Sequence, residues 1–185
     1  MNWSPRIARE NDKPAIQDLI PVSVRGLQRA FYSDEQIEAA LGSVFALDRQ
    51  LILDETYFVV SHGNQMVGCG GWSRRGALFG GDHHRVSEDV LLDPKKDPAR
   101  IRAFFVHPDW ARRGVARCIL RSCEVAIQSA QFSEIQLVAT LSGEPLYAAL
   151  GYAIIERFEV LLANRVEFPV VRMGKSLRRL DDLGH

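Results

Sequence analysis

No apolar run in the 185 residues approaches the roughly 18 that a membrane-spanning helix needs. The opening residues 1–14 lack the apolar segment of a signal peptide, so no membrane partner is expected. Cysteine is scarce and odd in number: Cys69, Cys118 and Cys123 form no C-x-x-C pair. That excludes a disulfide framework or a thiolate zinc site and points to a reducing cytoplasm, with the three thiols as small core hydrophobes. There is no excess of charge either, since 23 Lys plus Arg balance 23 Asp plus Glu. No overall field then draws the chain to nucleic acid or an anionic surface.

What is there is the composition of an ordinary globular protein, with 46% hydrophobic and 25% charged residues. The length fits one domain, residues 1–185, able to bury its own core. Residues 5–27 read as a short strand and a helix, with Asn11 or Asp12 at its N-cap and Pro14 in the first turn. Ser33 with Gln36 three positions on forms a capping-box pattern that opens a second helix. Residues 56–61 and 66–72 form a hairpin about the turn His62-Gly63-Asn64-Gln65. Gly68, Gly70 and Gly71 inside its second strand predict a bulge or a close approach. Residues 76–100 read as a long surface loop of the kind that is functional or mobile, or an interaction arm in an assembly.

Beyond it, residues 101–106 form a buried strand. After Gly114 comes a helix with Val115, Ile119, Cys123, Ala126 and Ile127 on one face. A strand over 134–140 follows, then a short helix with Pro145 in its first turn and Gly151 just past its end. Strands over 153–156 and 166–173 close the chain. This alternation defines an α/β (α+β) domain with a mixed sheet.

The stretch that asks for an explanation is "FFVHPDWARRGVARCIL", residues 104–120. An apolar strand ends in His107-Pro108-Asp109-Trp110, and three arginines then surround Gly114 before a new apolar period begins. The helix start exposes unpaired NH groups and the positive end of its dipole, with Gly114 and Ala116 leaving room for an anion to reach the backbone. Neither a P-loop nor a dinucleotide fingerprint fits, because their glycine patterns are missing. Read alone, arginines at a helix start describe a solvated face as well as a phosphate site.

These residues resemble motif A of the GCN5-related N-acetyltransferase superfamily, Gln/Arg-x-x-Gly-x-Gly/Ala after the fourth strand, with Gly114 and Ala116 in place and Ala111 at the first position. "EPLYAALGY", residues 144–152, resembles its motif B, where a helical tyrosine precedes Leu-Gly-Phe/Tyr. The likeness spans nearly the whole chain and is strongest over 101–152. It implies a mostly antiparallel sheet of six to seven strands, helices on both faces, splayed at strands four and five near Phe105 and Val106. It implies acetyl-CoA as cosubstrate, its pantetheine arm along Phe105 and Val106 and its pyrophosphate on the NH groups of Arg112, Arg113, Gly114, Val115, Ala116 and Arg117. The NH near Val106 would serve as oxyanion donor, and Tyr147 as the acid that protonates the departing thiolate. No metal and no cysteine nucleophile are implied.

The acceptor is then a primary amine of a small molecule or peptide, with Arg25, Tyr32, Trp72 and Arg74 as candidate pocket residues. Residues 101–106 carry no carboxylate to act as base, which leaves Glu35, Asp82, His83 and His84 as weaker candidates. An acyl-CoA-binding sensor without turnover is the alternative. Relatives often form homodimers.

Overall fold

The computed structural model describes residues 2–77 and 90–177. Asp82, His83, His84 and the rest of 78–89, the middle of the expected 76–100 loop, lie outside the described residues. Among the described residues, seven strands form one sheet in the order β1-β2-β3-β4-β5-β7-β6. They are β1 (Arg6–Ile7), β2 (Tyr57–His62), β3 (Gln65–Ser73), β4 (Ala99–Val106), β5 (Glu134–Thr140), β6 (Ala153–Leu161) and β7 (Glu167–Ser176). Every pairing is antiparallel except β4 with β5. Among the described residues, five α-helices accompany them: α1 (Lys13–Gln28), α2 (Asp34–Ala40), α3 (Arg49–Leu53), α4 (Val115–Ser129) and α5 (Glu144–Ala149).

The local signals act as their chemistry predicts. Ser33 Oγ accepts from the Gln36 NH at 3.2 Å, and Gln36 Oε1 accepts from the Ser33 NH at 3.0 Å, so α2 starts on a complete capping box. At α1 the N-cap is Asp12, yet its side chain does not cap the helix. Its carboxylate instead accepts from the Arg9 NH and pairs with Arg6. The hairpin turn is tighter than expected, with only Gly63 and Asn64 between β2 and β3. β4 begins at Ala99, inside the expected loop, and β6 runs five residues past Glu156. The five-residue α3 escapes sequence reading because it spans less than two turns, too short to show a helical period.

Two cores lie on opposite faces of the sheet. Ile16, Ile20, Val24, Ile37 and Leu51 from α1–α3 pack on one face with Val59, Cys69 and Phe105. Val115, Ile119, Cys123 and Ile127 of α4 pack on the other with Val60, Ile101 and Leu137. Alternation along the strands sends neighbouring residues to opposite cores, as a pleated sheet buried on both faces requires.

β4 and β5 separate early. They pair only through Ala99–Ile101 with Ile135–Leu137, so β4 leaves its neighbour from Arg102 onward while remaining bonded to β3. Splaying thus starts before Phe105 and Val106, where the family resemblance put it, and the cause is a bulge. Phe105 faces Cys69 and Arg102 faces Gly71, so Gly70 alone opposes both Ala103 and Phe104. Ala103 takes φ +58°, a strained left-handed conformation for a residue with a side chain. Two features hold it. The buried Tyr57 hydroxyl donates to the Ala103 carbonyl at 3.0 Å, and Gly70 has no Cβ, which would stand 2.5 Å from the Phe104 ring.

Candidate functional site

The turn before α4 is assembled from both ends of the chain. His107 caps a short 3-10 turn, Pro108–Trp110, its Nδ1 accepting from the Asp109 NH at 3.3 Å. Arg112 then adopts φ +60° and Gly114 φ +86°, and α4 starts from Gly114. The first bond within α4 runs from the Cys118 NH to the Gly114 carbonyl at 3.0 Å. The amides of Val115, Ala116 and Arg117 therefore have no acceptor within the helix, and no side chain caps it. A β-carbon at Gly114 would meet nothing nearer than Trp3 at 3.9 Å, so the approach to these amides is open.

Trp3 secures the turn from behind. Its indole Nε1 donates to the Arg113 carbonyl at 2.7 Å, and the Cys118 thiol donates to the Trp3 carbonyl at 3.4 Å. The Arg113 guanidinium lies 5.0 Å over the Trp110 ring, which itself packs edge-on to Trp3 at 5.6 Å. Arg113 is thus turned outward. Arg112, Gly114, Val115, Ala116 and Arg117 line the cavity that follows.

That cavity, about 780 Å³, occupies the split between β4 and β5. Phe105 and Val106 line it from β4, Val138 to Thr140 from β5, and Tyr147 from α5. It connects the faces of the sheet, because Phe45, Phe105, Ala103 and Val138 belong to the α1-side core and Tyr147, Val115, Phe104 and Val106 to the α4-side core. Tyr147 is only 8% exposed. Burial, with the nearby Cys123, pushes its hydroxyl far above the ordinary phenol range, so it keeps its proton at any physiological pH. No hydrogen bond occupies that hydroxyl among the described residues, while the ring leans on Phe104 and Tyr152 at centroid distances of 6.4 and 5.7 Å.

Sequence reasoning missed two features of this cavity. Ser23 of α1 takes the Val106 NH on its Oγ at 3.0 Å, so the amide expected to serve as an oxyanion donor is already engaged. At one side, Ser142 donates to Gln28 Oε1 at 2.6 Å and lies 3.1 Å from Thr140 Oγ1, which also accepts from the Gly143 NH at 3.2 Å. This cluster ties the end of α1 to the β5–α5 turn. The signal for Ser23 was its place one helical turn before Leu27 and two before Phe31, on a stripe that continues the buried face of α1.

The four residues proposed from sequence for the acceptor pocket do not line the cavity. Arg25 pairs with Glu38 on the surface at 2.7 Å. Tyr32 stacks on Phe168 at 4.1 Å and joins two backbones, donating to the Pro169 carbonyl and accepting from the Leu141 NH. Burial pushes its hydroxyl up to about 12. Trp72 is buried against Phe132, and Arg74 lies 5.7 Å over its ring. Glu35 is exposed in the first turn of α2 and does not line the cavity. Among the described residues, the lining holds no Asp, Glu, His or Lys.

A half-open sheet with a parallel pair splayed beside an uncapped helix start is the architecture of the acyltransferases that lay a coenzyme A thioester between two strands. Residues 53–154 match the acetyltransferase (GNAT) domain family, and the chain belongs to it. The fold has many solved likenesses at low identity. A GCN5-related N-acetyltransferase from Rhodopseudomonas palustris superposes with a TM-score of 0.71 at 20% identity, covering 96% of this chain and 97% of that one. PaiA N-acetyltransferase from Thermoplasma acidophilum, in complex with coenzyme A, gives 0.66 at 12% identity, with coverage of 95% and 99%. A phosphinothricin acetyltransferase from Sinorhizobium meliloti, in complex with acetyl-CoA, gives 0.64 at 14%, with 96% and 89%. Among curated protein sequences none matches.

Proposed function

We propose that the chain, residues 1–185 as one domain, transfers an acetyl group from acetyl-CoA directly to the primary amine of a small molecule or peptide. One observation carries this reading: a single cavity runs from the uncapped start of α4, past Tyr147, through the sheet to the α1 side. The open amides of Val115, Ala116 and Arg117 and the charges of Arg112 and Arg117 suit a pyrophosphate. The unpaired half of β4, with Phe105 and Val106, suits an extended pantetheine arm lying beside it as an added strand. Arg113 belongs to this site through its backbone, since its side chain faces Trp110.

Bound there, acetyl-CoA supplies an activated thioester. The new N–C bond forms as the C–S bond breaks; the amine loses one proton and the sulfur gains one. Tyr147 holds a proton at its phenolic oxygen and is the acid for the sulfur. For the amine, the described lining offers no carboxylate or imidazole, so water takes that proton. An aliphatic amine with a pKa near 10 must first lose its charge, and the rate should rise with pH toward that value. Tyr147 does not oppose the rise, because its raised pKa keeps it protonated throughout. The three free cysteines and the lack, among the described residues, of a helix long and apolar enough to cross a membrane support the cytoplasm as the site of action, as monomer or homodimer.

The test is release of free CoA thiol from acetyl-CoA across amines, amino acids and peptides, with wild type and Tyr147→Phe compared over pH. We expect acceptor-dependent release that rises with pH and falls about 100-fold in the variant at every pH. The missing base favours one other reading, an acyl-CoA sensor without turnover. Thermal stabilisation that grows with acetyl-CoA concentration, with no thiol released for any acceptor, would select it.

A further inference from the structure

The α1-side half of the cavity is built unlike the rest. Leu27 and Phe31 come from the end of α1 and the turn after it, and Val44, Phe45 and Ala46 from the connection between α2 and α3. The polar side chains beside them, Ser23, Gln28, Thr140 and Ser142, are hydrogen-bonded to the Val106 amide or to one another, and the rest of this wall is hydrocarbon. Phe31 lines the cavity yet remains 48% exposed, so its ring is left to water at the mouth. A lone exposed phenylalanine on a surface needs no explanation, but this one continues the Ser23–Leu27 line of α1 into a cavity.

Charge is nearly absent there. Among the described residues, the charged one lining this half, Arg102, is matched by Asp48 at 3.1 Å, with side chains 4% and 1% exposed. Arg112 and Arg117 stand at the other end, beside the α4 amides. A polyamine or a lysine side chain would bring a second cation or a polar strand with no described counter-charge in the lining. Besides the Asp48-paired Arg102, the cations that the described lining offers an amino-acid carboxylate stand at the end suited to pyrophosphate.

We infer that the acceptor is a primary amine on a single apolar or aromatic body with no second charge, of the arylalkylamine kind. Its body lies against Leu27, Phe31, Val44 and Phe45, and its nitrogen points into the strand split toward Tyr147. The inference rests on the transferase reading above and deepens it. The apolar wall orients the amine and, by excluding water from the body, favours the uncharged nitrogen that must attack.

The experiment compares kcat/KM for 2-phenylethylamine, 1,4-diaminobutane, phenylalanine and a lysine-containing peptide at fixed acetyl-CoA. Phenylethylamine should exceed each of the others by at least tenfold, about what burying one ring against an apolar wall provides. Phe31→Ala should lower the phenylethylamine value several-fold through KM, and Phe31→Asp should narrow its lead over 1,4-diaminobutane. Residue 31 is half-exposed, so neither change threatens the fold. If the diamine, the amino acid or the peptide is the better acceptor, the inference is overturned and the transferase stands. If none is acetylated, calorimetry on the protein with CoA bound separates the two readings. Millimolar or tighter binding of phenylethylamine, with none of the diamine, keeps the apolar site and removes the transferase; no binding of either overturns both.

Discussion

At the α4 end of the cavity the groups facing inward are backbone amides, presented by Gly114 and the first turn of a long helix, with arginines around them. At the α1 end they are side chains from two separate segments, mostly hydrocarbon, set over the buried Arg102–Asp48 pair. A backbone site depends on where the helix begins and on the absence of a β-carbon. Few residue types supply that, so it leaves a trace in a short stretch of sequence. A side-chain wall can be met by many combinations of apolar residues, and here its parts are joined only by folding. The first kind suits a ligand that is constant across a family; the second is free to change with the substrate.

The contrast breaks most visibly through Asp48. Asp48→Leu leaves Arg102 charged and buried without its acid, which should destabilise the fold by about 3–5 kcal/mol in urea unfolding. Adding Arg102→Met should restore most of that loss, because an apolar pair needs no desolvated charge. A loss below about 1 kcal/mol in the single variant would mean that the pair is hydrated, and the α1 end would no longer count as nearly free of charge.

Next in size is Gly114→Val. At φ +86° a β-branched residue costs roughly 1–2 kcal/mol of backbone strain or forces the turn to another shape. CoA affinity measured by calorimetry should fall about tenfold or more, while the fold stays intact. Should CoA bind as before, the amides of α4 are not where its phosphates sit, and the backbone half of the comparison is wrong.

How much could be read in advance follows the same division. The Ser33–Gln36 box, the helix start after Gly114 and the bounds of β5 were legible because each rests on a local rule. The bulge at Ala103 was legible only by half: three glycines in β3 announced that something approaches, but alanine gives no warning of φ +58°. What holds it, the Tyr57 hydroxyl, comes from 46 residues away. The choice of Tyr32, Trp72, Arg25 and Arg74 as pocket residues relied on side-chain type, and folding uses the two aromatics in packing and Arg25 in a surface pair. Leu27, Phe31 and Val44 to Ala46 were unreadable for the opposite reason, since they look like core and instead border a cavity.

The smallest expected effect sharpens the comparison most. Trp3 holds the Arg113 carbonyl from 110 residues away, between the left-handed residues Arg112 and Gly114, in the turn proposed to receive the pyrophosphate. Trp3→Phe keeps most of the ring packing against Trp110 and removes the indole donor alone. One hydrogen bond contributes a net 0.5–1.5 kcal/mol, so the affinity for CoA should weaken between about two- and tenfold. If Trp3 acts by shaping the backbone that receives phosphate, the loss appears in KM for acetyl-CoA with kcat unchanged. Acetyl-pantetheine, which has no pyrophosphate, should then be used equally well by both proteins. A general loosening of the fold would instead lower activity with both donors alike and move the unfolding midpoint with it. Equal loss with the two donors at an unchanged unfolding midpoint would show that the turn is not shaped for an anion, and that the α4 end, like the α1 end, works through its side chains.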